Sequence, residues 1–157
     1  MTKHRKILLV CLGNICRSPV AEGVLRAKAE ARGLPVEVES AGTGAWHVGK
    51  GADSRMVSAA AGRGYDLRAH RARQADMGDF YIFDHIFAMD ESNLADLKDL
   101  QPADGSASLE MFLARTGRGE VPDPYYGGAD GFQHVIDLVE EASDVILNDL
   151  FPERGHA

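Results

Sequence analysis

Two rhythms of apolar residues organise this chain. Residues 7–10 form an unbroken apolar run opening onto a Gly-containing loop, the pattern of a strand buried on both faces in a parallel sheet. Near the other end, Phe132, Val135, Ile136, Val139, Ala142, Ser143, Ile146 and Leu150 recur at helical spacing and give a long helix one core-facing side. Between them, Ser18 and Pro19 predict an N-cap and first helical residue, with a helix to about Arg32 stopped by Gly33. Residues 36–40 alternate as a second strand, and 41–51 read as loop. A helix is expected over 54–63, closed by Gly64, and a short one over 74–80. Residues 85–88 read as a third strand, Asp90 caps a helix to about Leu100, and 108–113 read as a fourth strand. Gly, Pro and Asp reach turn density over 116–128, so that stretch is loop.

Strands alternating with helices imply a doubly wound α/β domain, a four-stranded parallel sheet with helices on both faces. With no repeat, linker or low-complexity tract, one domain is expected across residues 1–157. Ligands in such folds sit at the carboxyl ends of the strands. The run 7–10 ends there, and Cys11 follows it directly.

Composition narrows the partners. A hydrophobic share of 45% fits a globular chain, and a formal net charge of -7 argues against nucleic acid or an anionic membrane, both of which call for a basic face. The basic start before residues 7–12 is too short in its apolar part for a secretory signal and reads as the first strand. Two cysteines, Cys11 and Cys16, cannot staple 157 residues, so free thiols in a reducing compartment, the cytoplasm, are expected. The six histidines show no paired ligand spacing, and neither metal nor other cofactor is expected.

The chemistry concentrates in Cys11-Leu12-Gly13-Asn14-Ile15-Cys16-Arg17-Ser18-Pro19. A loop of this length curled round an anion turns successive backbone N–H groups of residues 12–18 inward as a nest. The helix that follows adds its positive end. Gly13 eases the turn, and Arg17 offers two parallel donors to two phosphate oxygens. Cys11 would lie at the floor, opposite a leaving group. An ordinary thiol is only about 3% thiolate at pH 7, and making it mostly thiolate takes about 4 kcal/mol. A helix terminus supplies roughly 0.3–1 kcal/mol of that, so loop amides, the Ser18 hydroxyl and the Arg17 charge must supply the rest. The Gly-x4-Gly-Lys-Ser/Thr nucleotide loop is absent. A cysteine ending an apolar strand is also, in many chains, simply a small buried side chain, and the loop could bind phosphate without chemistry.

This nine-residue stretch resembles the signature loop of the low-molecular-weight protein tyrosine phosphatases. Further similarity follows in order at Ser40-Ala41-Gly42-Thr43, His70-Arg71-Ala72-Arg73-Gln74, Met89-Asp90-Glu91-Ser92-Asn93-Leu94 and Asp123-Pro124-Tyr125-Tyr126-Gly127. The resemblance implies a phosphotyrosine phosphatase that acts through a phosphocysteine on Cys11, with Arg17 binding phosphate and Asp123 as general acid and base. It implies that Asn14, Ser18, Ser40 and His70 hold the loop in shape, and that Leu12, Ile15, Trp46, Tyr125 and Tyr126 wall a slot for an aromatic ring. A phosphotyrosine protein or small aryl phosphate is then the substrate. The resemblance also suggests a reversible Cys11–Cys16 disulfide, restored by a thiol reductant. Related phosphoarginine phosphatases carry Thr where this chain has Ile15. Related arsenate reductases use additional cysteines near the third strand, and residues 81–89 contain none. Where many relatives read Pro-Asp-Pro-Arg, this chain has Ala52-Asp53-Ser54-Arg55, with no proline at the pocket entrance.

Overall fold

Ile7, Leu8, Leu9 and Val10 are all wholly buried, as an apolar run in a sheet covered on both sides requires. The computed structural model describes residues 4–124 and 128–152. The run belongs to β1 (Arg5–Cys11), which pairs in parallel with β2 (Val36–Gly42) on one side and β3 (His85–Ala88) on the other. β4 (Ser108–Met111) adds to β3, giving a four-stranded, all-parallel sheet in the order β2-β1-β3-β4. Alternate side chains of β1 serve opposite faces. Ile7, Leu9 and Cys11 pack with α1 (Arg17–Ala31), α2 (Ser54–Ala61) and α5 (Ala129–Leu150), while Leu8 and Val10 pack with α3 (Asp79–Ile82) and α4 (Glu91–Leu100). Helices therefore cover both faces, and β1 at the centre points Cys11 out of its carboxyl end.

The long helix α5 buries Phe132, Val135, Ile136, Val139, Ala142, Ser143 and Ile146, the face expected from its periodicity. Asp90 caps α4, its Oδ1 accepting the Asn93 N–H at 2.7 Å. Gly33, at φ +66°, ends the first helical segment, and the Leu34 N–H reaches back to the Ala29 carbonyl at 2.9 Å.

Three local expectations need correction. Ser18 is not the N-cap of α1: Cys16 holds that place without a side-chain cap bond, and the Ser18 hydroxyl turns instead toward Cys11. Residues 74–80 do not form one short helix. Gln74 bridges to Gly42 at the end of β2, and the helical turn begins only at Asp79, because two backbone bonds between Gly42 and residues 73 and 75 hold that stretch extended. β4 stops at Met111 rather than residue 113, since Phe112 and Leu113 leave the sheet to fill the core beneath α5. Among the described residues no helix is long and apolar enough to cross a membrane.

Candidate active site

The loop between β1 and α1 has its carbonyls occupied from outside. Thr43 N–H donates to the Cys11 carbonyl and Gly44 N–H to that of Leu12, both at 2.9 Å. The His70 ring meets the Asn14 carbonyl at 2.7 Å, and Asp53 N–H donates to that of Ile15 at 2.6 Å. Peptide planes whose oxygens face outward turn their N–H groups inward. Those of residues 13–16 have no acceptor among the described residues. The result is a cradle of backbone donors at the start of a helix, an arrangement suited to a multivalent anion.

Asn14 fixes that curvature. It sits at φ +57°, the left-handed region that a side chain enters at a cost, and its side chain holds it there with three bonds. Nδ2 donates to Ser18 Oγ at 2.9 Å and to Ser40 Oγ at 3.0 Å, and Oδ1 accepts the Arg73 N–H at 2.9 Å. The Ser40 hydroxyl donates in turn to Glu22 Oε1 at 2.5 Å. A carbonyl oxygen only accepts, so His70 carries a proton on Nε2, and its Nδ1 lies 3.9 Å from Glu22 Oε1. Gly13 was expected to supply the turn; Asn14 supplies it instead. Gly13 has another reason to lack a side chain, since a Cβ there would stand 2.9 Å from the His47 ring. A Cβ on Gly42 would lie 2.7 Å from the Leu12 carbonyl, so β2 must be bare where the loop leans on it.

At the floor, Cys11 Sγ and Ser18 Oγ are 3.0 Å apart. Ser18 accepts from Asn14, which leaves its single proton for the sulfur or for the Ala41 carbonyl at 3.3 Å. Cys16 is also a free, buried thiol. Burial, followed by the Cys11, Asp53 and Asp123 charges, pushes it far above the usual thiol range, so it stays protonated.

Arg17 is almost fully buried and is held from behind. Nη1 donates to Asp90 Oδ2 at 2.7 Å and to the Val121 carbonyl at 3.1 Å, and Nη2 lies 3.7 Å from Asp123 Oδ2. Burial works against its charge, but the Cys11 sulfur and Asp90 outweigh it, and the guanidinium stays a cation. Cys11, Leu12, Gly13, Ile15, Cys16, Arg17, Trp46, His47 and Asp123 line one cleft of about 240 Å³. Every sequence-predicted lining residue within the described residues is among them, while Asn14, Ser18, Ser40 and His70 form the network beneath. Tyr125 and Tyr126 lie outside the described residues. Asp53, in the stretch without prolines, caps α2 through Oδ1 and ties the entrance to Ile15 through its N–H.

Four contributors escaped sequence reasoning. The sequence marks Asp90 only as a helix cap, although the motif around it is visible. His47 adjoins the predicted Trp46. Gly42 lies in a matched motif that assigns it no role, and Glu22 gives no local signal. No cluster of three His, Cys, Asp or Glu side chains that could hold a metal ion occurs among the described residues.

A model of the low molecular weight phosphotyrosine protein phosphatase family matches residues 6–154. A low molecular weight protein-tyrosine-phosphatase from Streptomyces coelicolor is 44% identical over 150 residues, covering 90% of this chain and 91% of its own. The crystal structure of a protein tyrosine phosphatase from Entamoeba histolytica, with Hepes in its active site, superposes with a TM-score of 0.90. It is 39% identical, over 96% of this chain and 99% of that one. The Drosophila arginine phosphatase superposes at 0.87 with 32% identity, over 92% and 96% of the two chains. Fold and sequence together make this chain a member of the low molecular weight phosphotyrosine protein phosphatase family.

Proposed function

We propose that the protein hydrolyses phosphotyrosine in two steps through Cys11, with Arg17 and Asp123 as partners. The convergence of these three side chains with inward amides in one cleft carries the reading. In the first step the Cys11 thiolate forms a bond to phosphorus. The phosphorus–phenoxide bond breaks, and the departing oxygen takes the proton of Asp123. In the second, water attacks phosphorus and gives a proton to the Asp123 carboxylate. The phosphorus–sulfur bond breaks, returning the Cys11 thiolate and inorganic phosphate. The loop amides and Arg17 oppose the charge on the equatorial oxygens throughout, and no step calls for a metal. Asp123 must begin protonated and become a base only after the leaving group has gone, so an acidic optimum is expected.

Leu12, Ile15 and Trp46 wall the cleft with apolar surface, which suits the ring of phosphotyrosine or a small aryl phosphate and leaves the shorter phosphoserine unable to reach the floor. Ile15 stands where phosphoarginine phosphatases carry Thr and favours the tyrosine reading. Cys16, in the same cleft as Cys11, suits a protective role. Peroxide oxidises the Cys11 thiolate to a sulfenic acid, Cys16 displaces water to form a disulfide, and a dithiol reductant restores both thiols. Dependence on free thiols fits a cytoplasmic setting.

The deciding experiment is hydrolysis of p-nitrophenyl phosphate across acidic and alkaline pH with EDTA present. Turnover with an acidic optimum is expected, abolished in Cys11→Ser and cut by about 10²–10⁴ in Asp123→Ala. A Cys11→Ser variant that retains turnover, or a requirement for added metal, overturns the reading.

A further inference from the structure

In this acidic chain most arginines are ion-paired, including those near the cleft: Arg68 with Asp66, Arg73 with Asp79 and Glu39, and Arg55 with Asp53. Lys50 and Arg71 are different. Both are exposed, and neither has a carboxylate partner among the described residues. The Arg71 guanidinium donates instead to the His70 carbonyl at 2.6 Å and to that of Arg68 at 3.3 Å, which fixes its direction while leaving its charge uncompensated.

The segments that carry the two cations are paired through their backbones. Ala72 N–H donates to the Lys50 carbonyl and Gly49 N–H to the Ala72 carbonyl, both at 2.8 Å. A Cβ on Gly51, the residue after Lys50, would stand 3.4 Å from Arg71 Nη1. This platform borders the cleft through Lys50 and the network beneath the cleft through Arg71. The Lys50 N–H donates to the carbonyl of His47, a lining residue, and Arg71 follows His70, whose ring touches Asn14. Beside the cations, Trp46 and Val48 are 69% and 55% exposed, and Leu12 is 41% exposed at the cleft.

We propose that segments 47–51 and 70–72 form a docking rim for acidic residues flanking phosphotyrosine in an extended peptide, with Lys50 and Arg71 as its charge contacts. The inference rests on the phosphotyrosine reading above and adds a sequence preference to it. The net charge of -7 does not oppose it. At physiological salt, charges more than about 8 Å away are largely screened, so an approaching carboxylate responds mainly to the two nearest uncompensated cations. Exposed Trp46 and Val48 give the peptide apolar surface beside that charge. A free aryl phosphate has no flanking carboxylates for Lys50 and Arg71 to meet.

The test uses three substrates: p-nitrophenyl phosphate, a phosphotyrosine peptide with Asp and Glu on both sides, and one of equal length with Ser and Gly in those places. The parent protein is expected to favour the acidic peptide about fivefold in kcat/KM at low ionic strength, with the preference fading as salt rises toward about 0.3 M. Lys50→Glu with Arg71→Glu should abolish or invert that preference through KM and leave p-nitrophenyl phosphate turnover unchanged. Lys50→Arg with Arg71→Lys should retain it. Equal use of the two peptides by the parent overturns the rim. So does a preference that survives the double reversal, or a loss shared by all three substrates. If the parent turns over none of the three, the phosphatase reading fails instead. Binding of the two peptides, followed by fluorescence of Trp46, the single tryptophan, then decides the rim alone.

Discussion

Arg17 and Asp90 meet at 2.7 Å, 73 residues apart in sequence, and Asp90 divides its carboxylate between two tasks. Oδ2 holds the arginine and Oδ1 caps α4. A residue that was a cap alone would tolerate Asn. Here Asp90→Asn should keep most of the helix but free the guanidinium from its anchor, lowering kcat/KM for an aryl phosphate by about 10–100-fold. Asp90→Ala loses the cap as well and leaves Arg17 buried with less compensation, a loss of about 3 kcal/mol in urea unfolding. Equal activity in Asp90→Asn and parent would mean that Arg17 is positioned by the Val121 carbonyl and packing.

Asn14 allows backbone and side-chain contributions to be separated. Asn14→Gly keeps the φ of +57° accessible and removes the three bonds, whereas Asn14→Ala removes the bonds and adds strain. Both are expected to lose about 10²-fold or more in turnover, with Ala about 1 kcal/mol less stable than Gly by denaturant titration. A Gly variant with full activity would show that the loop needs only the conformation.

The two cysteines should label differently. Burial and neighbouring negative charge keep Cys16 protonated well above neutrality, and the thiol form is a poor nucleophile. Iodoacetamide at neutral pH is expected to modify one cysteine per folded chain, Cys11, with inactivation tracking that single event. Peptide mapping by mass spectrometry should find Cys16 modified only after unfolding. Early labelling of Cys16 would contradict this.

Away from the site, His85 gives the fold an acid-side weakness. Burial first, then the Arg5 cation, holds its pKa below the usual 6.5. The ring lies between Arg5, at 3.3 Å from Nε2, and the Ser108 hydroxyl, at 2.9 Å from Nδ1. As pH falls through about 6.5, the unfolded chain takes up a proton that the folded chain still refuses, so stability drops. The loss stops growing once the folded ring is protonated too. Urea midpoints measured from about pH 7.5 to about pH 5 should fall less steeply in His85→Asn than in the parent. Parallel curves would mean that other groups dominate.

What the sequence revealed and what it hid divide along a physical line. The apolar run of β1, the face of α5 and the Asp90 cap were legible because each depends on neighbours within a few residues. The Cys11 loop was legible because its residue types are unusual together. Ser18 misled for the same reason, since a serine before a proline satisfies a local rule for helix capping. The fold uses that hydroxyl on Cys11, where no local rule points. Local pattern points to a helix from residue 74, but Gly42, more than thirty residues away, pairs with Gln74 in an extended bridge, and the helical turn begins only at Asp79. Gly42 and Glu22 matter only through what lies beside them in space, and single-chain periodicity carries no information about that.

One side chain, that of Asn14, ties together three segments that are remote in sequence: α1 through Ser18, β2 through Ser40, and the Arg73 backbone. It needs two donors and one acceptor on a short stem in a left-handed position, and Asp, Gln or Ser each fails one of those requirements. Leu12 and Ile15, two and one residues away, face the cleft and carry none of that burden. Among descendants of such a protein, position 14 would stay fixed while 12 and 15 drifted, so substrate preference could diverge without dismantling the phosphate cradle.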